Sequence, residues 1–565
     1  MKAGYRKIWG VFILSVIVYG IIAAVFTSTV HIDVDEELYT ALARTFHYQG
    51  RFGTGDDILN YSCVLYSMLI SLAYYFYEPD RILFLMRLIG VISMCSAVFP
   101  IWLLAKKVLK DDREAFIISL FTMILPYMFD TSYLMQEVLS YPLFLWAVYF
   151  LYSTHEKYSF SQVILSAVFS ALCFFTKTYL FFIPVVVNLH DIYIAVKNRQ
   201  VKKFLHRSGL YDGVYLATAA SVYGFIWIAN GTAGGSNHYA RQFSHLFPVS
   251  IQTVVMGIAA CILYLSFFII NMGIIPAASV LFNRKKLQGA VRWLGDFCLF
   301  SCVFLVIEIV FMVVLTEEGV DTLPHKFLFR YFQVLVPPYL ILFMKLKKEW
   351  QFLRGKAVWM TAAVTLLIAI IYFWYMNGNT RQSIIDGHLF LLIENITKYV
   401  FPYADVIIMV FCGILTGGIL WFGTKKVQSP VPALVRTAWA GIVLMWVWSC
   451  FQLPFYTNVI AEGKVIQEDS IKIAEYLNRE GYEFIYYIDS EEKEDYYLQN
   501  FYGYVRQQYQ VVDVQELEKM SVNEERKTAY LTAAGSVDSL KGLEEIRLDT
   551  ERIAVCRRTS FDYRG

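Results

Sequence analysis

Charged residues are scarce in this sequence. Only 17% of the 565 residues are Asp, Glu, Lys or Arg, whereas a typical soluble domain has about 25%. A covalent framework is lacking as well, because the nine cysteines form no CxxC pair and eight of them lie in or beside apolar segments. These shortages argue against a soluble globular protein, a disulfide scaffold and a cysteine-bound zinc site.

Long apolar runs are abundant instead, since 57% of the residues are hydrophobic. About thirteen runs are long enough to cross a hydrocarbon layer of roughly 30 Å as helices. They are continuous rather than alternating, which argues against membrane-spanning strands. The predicted spans are 8–28, 82–105, 114–130, 137–154, 160–176, 178–196, 212–230, 251–275, 293–316, 329–344, 357–376, 404–423 and 434–454.

A further apolar stretch, 62–77, is assigned from the charge of the loops. Lys and Arg concentrate in short cytoplasmic loops. If 62–77 does not cross, every strongly basic loop lies on the same side as the N-terminus, whereas a crossing would place all of them outside. We therefore predict that the N-terminus is cytoplasmic, that 29–81 is the first outward loop, and that 62–77 lies in the outer interface.

The C-terminal part differs in composition. From Glu462 onward there are 22 acidic and 14 basic residues, which leaves 25 acidic and 35 basic residues before that point. Short strand-like runs (484–488, 508–514, 528–532 and 553–556) alternate with polar helical patterns such as 495–504. The predicted architecture is an α-helical polytopic membrane domain at 1–456, followed by a small outward-facing α/β domain at 457–565.

Acidic residues cluster at the start of the first outward loop, where Asp33, Asp35, Glu36 and Glu37 precede a predicted amphipathic helix at about 36–48. Asp33 with Glu36 fits a capping box, so one interpretation is simply an acidic helix start. One cap needs only one carboxylate, however. Four acids within five residues next to a membrane span favour chemistry, and a carboxylate near a hydroxyl can act as a general base.

Other ionisable residues fall on the same side by this topology. Glu137 begins an apolar span, although it also suits a helix N-terminus. Lys177 departs from the positive-inside trend, which indicates an anionic partner. The alternative is that its ammonium reaches outer head groups. His325, Lys326 and Arg330 add positive charge, and Arg is suited to phosphate contacts. Acids beside cations at a membrane surface indicate transfer chemistry on a lipid-phosphate donor.

Four segments of the sequence resemble a known group: DEELY in the first loop, the pair Gln136–Glu137, FFTKTYLFFIP and HKFLFRYFQVLVPP. They are similar to the GT-C superfamily of polyprenyl-phosphate-sugar glycosyltransferases. The likeness is greatest to the branch of the protein O-mannosyltransferases and the lipid A aminoarabinose transferase. The resemblance implies about thirteen spans, juxtamembrane helices in the first loop and an outward C-terminal domain.

The resemblance also implies roles for individual residues. Asp35 would be the catalytic base beside Glu36, with Asp33 as its rival, and Glu137 would support the acceptor site. The donor-binding residues would be Lys177, Arg330, His325, Lys326 and Tyr331. The implied reaction is a single displacement with inversion at the anomeric carbon. Asp33, Asp35 and Glu137 are hard oxygen ligands for a divalent cation, but similar enzymes work without one, so no metal or cofactor is assigned.

Several alternatives remain open from the sequence. The expected partners are the membrane, a polyprenyl-phosphate-linked sugar donor and a lipid, surface-polysaccharide or protein acceptor, with no nucleic acid. A transporter or flippase of lipid-linked sugars would typically show paired halves, and no clear internal repeat is present. A lipid-carrier polysaccharide polymerase or ligase would share the donor but not the acidic pair that opens the first loop. A membrane scaffold with a partner-binding tail is the third alternative.

Overall fold

The computed structural model describes residues 2–26, 34–54, 57–59, 61–76, 79–198, 201–231, 250–272, 274–311, 329–347, 363, 367, 457–489, 507–519, 527–533, 540, 543–546, 548–550 and 553–558. The statements below concern these residues. Apart from 363 and 367, the three predicted spans at 357–376, 404–423 and 434–454 lie outside them.

The membrane part of the described chain is helical. Its α-helices are α1 (Lys2–Phe26), α2 (Val34–Gln49), α3 (Leu65–Ile70), α4 (Pro79–Cys95), α5 (Val98–Leu109), α6 (Asp112–Thr122), α7 (Glu137–Glu156), α8 (Phe160–Phe174), α9 (Phe182–Asn198), α10 (Val201–Asn230), α11 (Ile251–Met272), α12 (Ile274–Asn283), α13 (Gly289–Ile309) and α14 (Val336–Lys347). Short 3₁₀ helices join them at Ser71–Tyr75, Pro126–Ser132, Thr178–Phe181, Arg284–Lys286, Phe329–Tyr331 and Gln333–Leu335.

Among the described residues, six helical stretches are long and apolar enough to cross a membrane, and a bent pair raises the number to seven. The chain is therefore a multi-pass membrane protein, while the full count of thirteen stays a prediction. The predicted span 114–130 is broken, because α6 and the 3₁₀ helix Pro126–Ser132 meet at 53°. Leu125 is extended at the break, which is the backbone region that a following proline favours.

The stretch predicted to lie in the outer interface forms α3 and the 3₁₀ helix Ser71–Tyr75. These eleven residues (65–75) rise only about 19 Å, so they are too short to cross. One side of the stretch packs inward through Tyr66, Ile70 and Tyr74, while Leu72 and Tyr75 are exposed. The non-crossing assignment fits the length of this stretch, and the topology that depends on it stays a prediction.

Among the described helices of the membrane part, α7 contacts α4, α5, α8 and α13. Its buried residues include Val138, Tyr141, Phe144 and Val148, which belong to the main hydrophobic core. Gly90 on α4 permits a close approach, because a Cβ there would come within 3.3 Å of Val138. This approach fixes the beginning of α7, and therefore Glu137, against the neighbouring helices.

A second polar cluster, here called the inner network, joins the opposite ends of the helices. Asp191 on α9 lies 3.6 Å from the Nε of Arg207 on α10 and 3.8 Å from the Nε2 of His155 on α7. The Nε2 of His190 lies 3.6 Å from Asp296 on α13. The residues His155 and Glu137 are separated by about 27 Å along α7. Four helices are thus tied together far from the loop that carries α2 and α3.

The C-terminal part contains α15 (Thr457–Arg479), α16 (Val514–Lys519) and a five-stranded sheet. Its strands are β3 (Phe484–Asp489), β4 (Gln508–Asp513), β5 (Thr528–Ala533), β6 (Leu543–Ile546) and β7 (Ile553–Arg558), whereas β1 (Gly53–Thr54) and β2 (Asp57–Ile58) form a hairpin in the first loop. The sheet order is β4-β3-β5-β7-β6, with the first three strands parallel. A small α/β unit was expected here. Its exact boundary stays a prediction, and the predicted helix 495–504 lies outside the described residues.

Candidate active site

The first helix after α1 brings two acids to the site. Asp35 and Glu36 lie in the first turn of α2, and Tyr39 follows one turn after Asp35 on the same face. Neighbouring residues on a helix point in different directions, so the two acids have different surroundings. Glu36 is buried, and its Oε1 accepts a hydrogen bond of 2.5 Å from the backbone N–H of Leu134. It therefore fastens α2 to the segment that precedes α7.

The second acid stands at the start of α7. Glu137 is the first residue of that helix, and its side chain is only 1% exposed. The neighbouring Gln136 donates a hydrogen bond of 2.8 Å to the carbonyl of Cys63, which links the helix start to the loop before α3. The partial positive charge of a helix N-terminus favours a carboxylate at this position.

Two buried cations come from different parts of the chain. Lys177 precedes the 3₁₀ helix Thr178–Phe181, and Arg330 lies in the 3₁₀ helix Phe329–Tyr331. The Nζ of Lys177 donates a hydrogen bond of 3.1 Å to the hydroxyl of Tyr39. Both cations also lie over the ring of Tyr331, at 5.9 Å for Lys177 Nζ and 5.4 Å for Arg330 Cζ.

The four charges form one compact cluster. Glu137 Oε1 lies 3.3 Å from Lys177 Nζ and 3.6 Å from Arg330 Nε. Asp35 Oδ2 lies 3.5 Å from Arg330 Nη2 and 4.0 Å from Lys177 Nζ. Within the described part of this cluster, two cations face two carboxylates. The side chain of Asp35 is 35% exposed, whereas those of Glu137, Lys177 and Arg330 are buried. Asp35 is thus the carboxylate of this cluster that a substrate can reach.

The surroundings keep both Lys177 and Tyr39 protonated at neutral pH. Burial acts to lower the pKa of the Lys177 ammonium, but the carboxylates of Glu137 and Asp35 outweigh it, and the pKa lies above its ordinary value. Burial, followed by the charge of Asp35, raises the pKa of the Tyr39 phenol. The site therefore offers a fixed positive charge and a neutral hydroxyl.

The residues assigned from sequence are brought together to a large extent. The structure places Asp35, Glu137, Lys177, Arg330 and Tyr331 in one cluster, with Glu36 directed to the backbone of Leu134 instead. The remaining assigned residues, Asp33, His325 and Lys326, lie outside the described residues. Tyr39 was missed, although its spacing of four residues from Asp35 was the signal that it shares a helix face.

A metal site does not emerge from the described part of this cluster, because each carboxylate is already matched by cations. Within the described residues, one group of three candidate ligands occurs, His155, His190 and Asp191, in the inner network. There Arg207 pairs with Asp191 and hydrogen-bonds to the ring of His155. A second cation would compete with this guanidinium, so the arrangement suits an ion-pair network better than a metal.

Comparison with known proteins gives an independent view of the chain. The sequence profile of the family described as dolichyl-phosphate-mannose-protein mannosyltransferase matches residues 65–227. The fold is similar to the crystal structure of ArnT from Cupriavidus metallidurans bound to undecaprenyl phosphate, with a TM-score of 0.53. The two sequences are 14% identical, and the match covers 97% of this chain and 98% of that one.

The apo structure of the same protein is 13% identical, with a TM-score of 0.51 and coverage of 96% and 97%. No curated protein sequence matches the chain. At such low identity the structural likeness concerns the fold. Together with the profile match, it confirms the resemblance that the sequence motifs indicated, and the chain has the fold of the GT-C glycosyltransferases.

Proposed function

We propose that this protein is an integral membrane glycosyltransferase. It transfers a sugar from a polyprenyl-phosphate-linked donor to a hydroxyl acceptor at the outer face of the cytoplasmic membrane. The mannosyltransferase profile and the fold shared with ArnT support the class of reaction. The observation that carries the proposal is the partly exposed carboxylate of Asp35 beside two buried cations. One site therefore combines a carboxylate that can act as a base with two cations, Lys177 and Arg330, that can bind a phosphate.

In the proposed reaction, Asp35 accepts the proton of the acceptor hydroxyl as its oxygen attacks the anomeric carbon of the donor. The bond between that carbon and the phosphate oxygen breaks, and its electron pair stays on the phosphate. Lys177 and Arg330 stabilise the charge that develops there. Because the attack and the departure occur on opposite faces, the anomeric configuration is inverted.

Other residues take supporting places in the proposal. Glu36 positions α2 through its bond to Leu134. Asp33 remains a competing base, and His325 and Lys326 are proposed to lie near the donor phosphate. Tyr331, whose ring lies under both cations, is proposed to line the donor site.

The substitution Asp35→Asn tests the base directly, because it keeps the size of the side chain and removes its proton affinity. The assay follows labelled sugar from a panel of undecaprenyl-phosphate hexoses and pentoses into native membranes, which supply the acceptor. We expect transfer to stop while binding of undecaprenyl phosphate to the purified variant persists. Asp33→Asn is the matched variant. Full transfer by Asp35→Asn would reject the assignment and favour Asp33.

The proposed orientation has a separate test. Single cysteines introduced at Lys202 and Ser490 should react with impermeant reagents from opposite sides of the membrane, the first from inside and the second from outside. Labelling of both from one side would contradict the odd number of spans and the outward C-terminal domain.

A further inference from the structure

Glu137 has surroundings unlike those expected of a group that handles a substrate proton. Its side chain is 1% exposed, compared with 35% for Asp35. Neither carboxylate oxygen accepts a hydrogen bond of good geometry in the described chain. Its nearest charged atoms are Lys177 Nζ and Arg330 Nε, which both approach the same oxygen. An acceptor hydroxyl therefore has access to Asp35 but not to Glu137.

The position of Glu137 is that of an anion held behind the phosphate-binding pair. A buried carboxylate is costly unless cations compensate it, and here two cations do so. Besides the four charged residues, the described titratable groups that interact with Glu137 or with the two cations include the hydroxyls of Tyr39, Tyr66, Tyr179 and Tyr331 and the thiol of Cys63. The two cations carry a charge of +2, and Glu137 leaves +1 of it for the side on which Asp35 and the donor meet.

We propose that Glu137 is an internal counter-ion of the lipid-phosphate site, which orients Lys177 and Arg330 in the empty site and weakens binding of the phosphate monoester product relative to a phosphodiester. The inference rests on the proposed function. Glu137 is thus a positioning and specificity-determining residue, and the acceptor-site role implied by the resemblance is replaced.

The physical reason is the charge of the two lipids. A phosphodiester donor carries one negative charge, whereas a phosphate monoester has a second pKa near 6 and carries almost two at pH 8. A fixed carboxylate behind the cations repels the dianion about twice as strongly as the monoanion. Once Asp35 has returned its proton to solvent, both carboxylates oppose the dianionic product, and release is favoured.

Binding to the purified full-length protein in nanodiscs tests this idea. The two probes are undecaprenyl phosphate, a monoester, and undecaprenyl methyl phosphate, a diester with one charge throughout the pH range. Each is titrated at pH 5.5 and pH 8 against the wild-type protein, Glu137→Gln and Glu36→Gln. The last variant is a matched control, since Glu36 is equally buried but bonds to a backbone N–H.

For Glu137→Gln we expect about tenfold tighter binding of the monoester at pH 8, and a smaller gain for the diester. At pH 5.5 the two gains should become more alike, because about three quarters of the monoester then carries one charge. Glu36→Gln should leave the ratio of the two affinities unchanged. If Glu137 were only structural, Glu137→Gln would bind both lipids more weakly, by the same factor at both pH values. That outcome would overturn the inference.

The wild-type protein provides a second measurement that needs no variant. With Glu137 in place, it should bind the monoester no more tightly than the diester at pH 8. A tenfold or greater preference for the monoester would also overturn the counter-ion role. Failure of the wild-type protein to bind either lipid would instead contradict the proposed function, so the two failures are distinguishable.

Discussion

Replacing Lys177 by methionine should damage both stability and catalysis, for different reasons. Methionine fills a similar volume but carries no charge. The almost fully buried Glu137 then keeps Arg330, at 3.6 Å, as its remaining cation in the described site. Breaking a buried ion pair costs about 3–5 kcal/mol. Because Arg330 still compensates part of the charge, we expect a loss of about 2–3 kcal/mol in the free energy of unfolding.

A second substitution separates the two effects. When Glu137→Gln is added to Lys177→Met, the uncompensated charge disappears, and stability should return to within about 1 kcal/mol of the wild type. The rate of transfer should not return, because the phosphate has still lost one of its two cations. Loss of one such group typically costs about 100-fold or more in turnover.

The assays are sugar transfer in native membranes and thermal unfolding of the purified variants. Lys107→Met is the matched control, since Lys107 pairs at 2.8 Å with Glu156 in an exposed position and should cost less than about 1 kcal/mol. The reasoning is refuted if Lys177→Met unfolds at the same temperature as this control. It is also refuted if the double variant regains transfer.

Three smaller predictions concern single contacts. Tyr39→Phe removes the hydroxyl that accepts from Lys177, so kcat/KM should fall by about fivefold, equivalent to roughly 1 kcal/mol, with little change in unfolding temperature. Glu36→Ala leaves the buried N–H of Leu134 without this acceptor, and unfolding should become easier by about 1–3 kcal/mol. Asn230 accepts from the N–H of Phe52 just before β1 and donates to the carbonyl of Leu59 just after β2. Asn230→Ala should therefore increase hydrogen exchange in this hairpin, and unchanged exchange would contradict a stabilising role for Asn230.

Much of the site could be predicted because membrane topology is a strong constraint. Once the spans are ordered by the charge of their loops, Asp35, Glu137 and Lys177 must lie on one side, although over a hundred residues separate the first from the last. Which carboxylate faces solvent could not be predicted, since that depends on the rotation of α2 and α7 against their neighbours. The bond from Leu134 to Glu36 is a tertiary contact of this kind.

Departures from the predicted fold have similar physical causes. The span 114–130 is apolar over most of its length, and its proline at 126 was the signal that it bends. Strand β6 has the sequence LEEI, and its pairing with β7 at the edge of the sheet outweighs its weak intrinsic preference. Neither feature follows from hydrophobic periodicity alone.

The inner network bears on how the donor reaches the enzyme. A protein that carried the lipid across the membrane by rocking its helices would have to part them at the inner end. Separating α7, α9, α10 and α13 would break the contacts of Asp191 and Asp296 with the neighbouring guanidinium and imidazole groups. In the proposed orientation, the protein therefore receives a donor that already lies in the outer leaflet. In this proposal, the step that moves the donor across the membrane is carried out by a separate lipid-translocating protein.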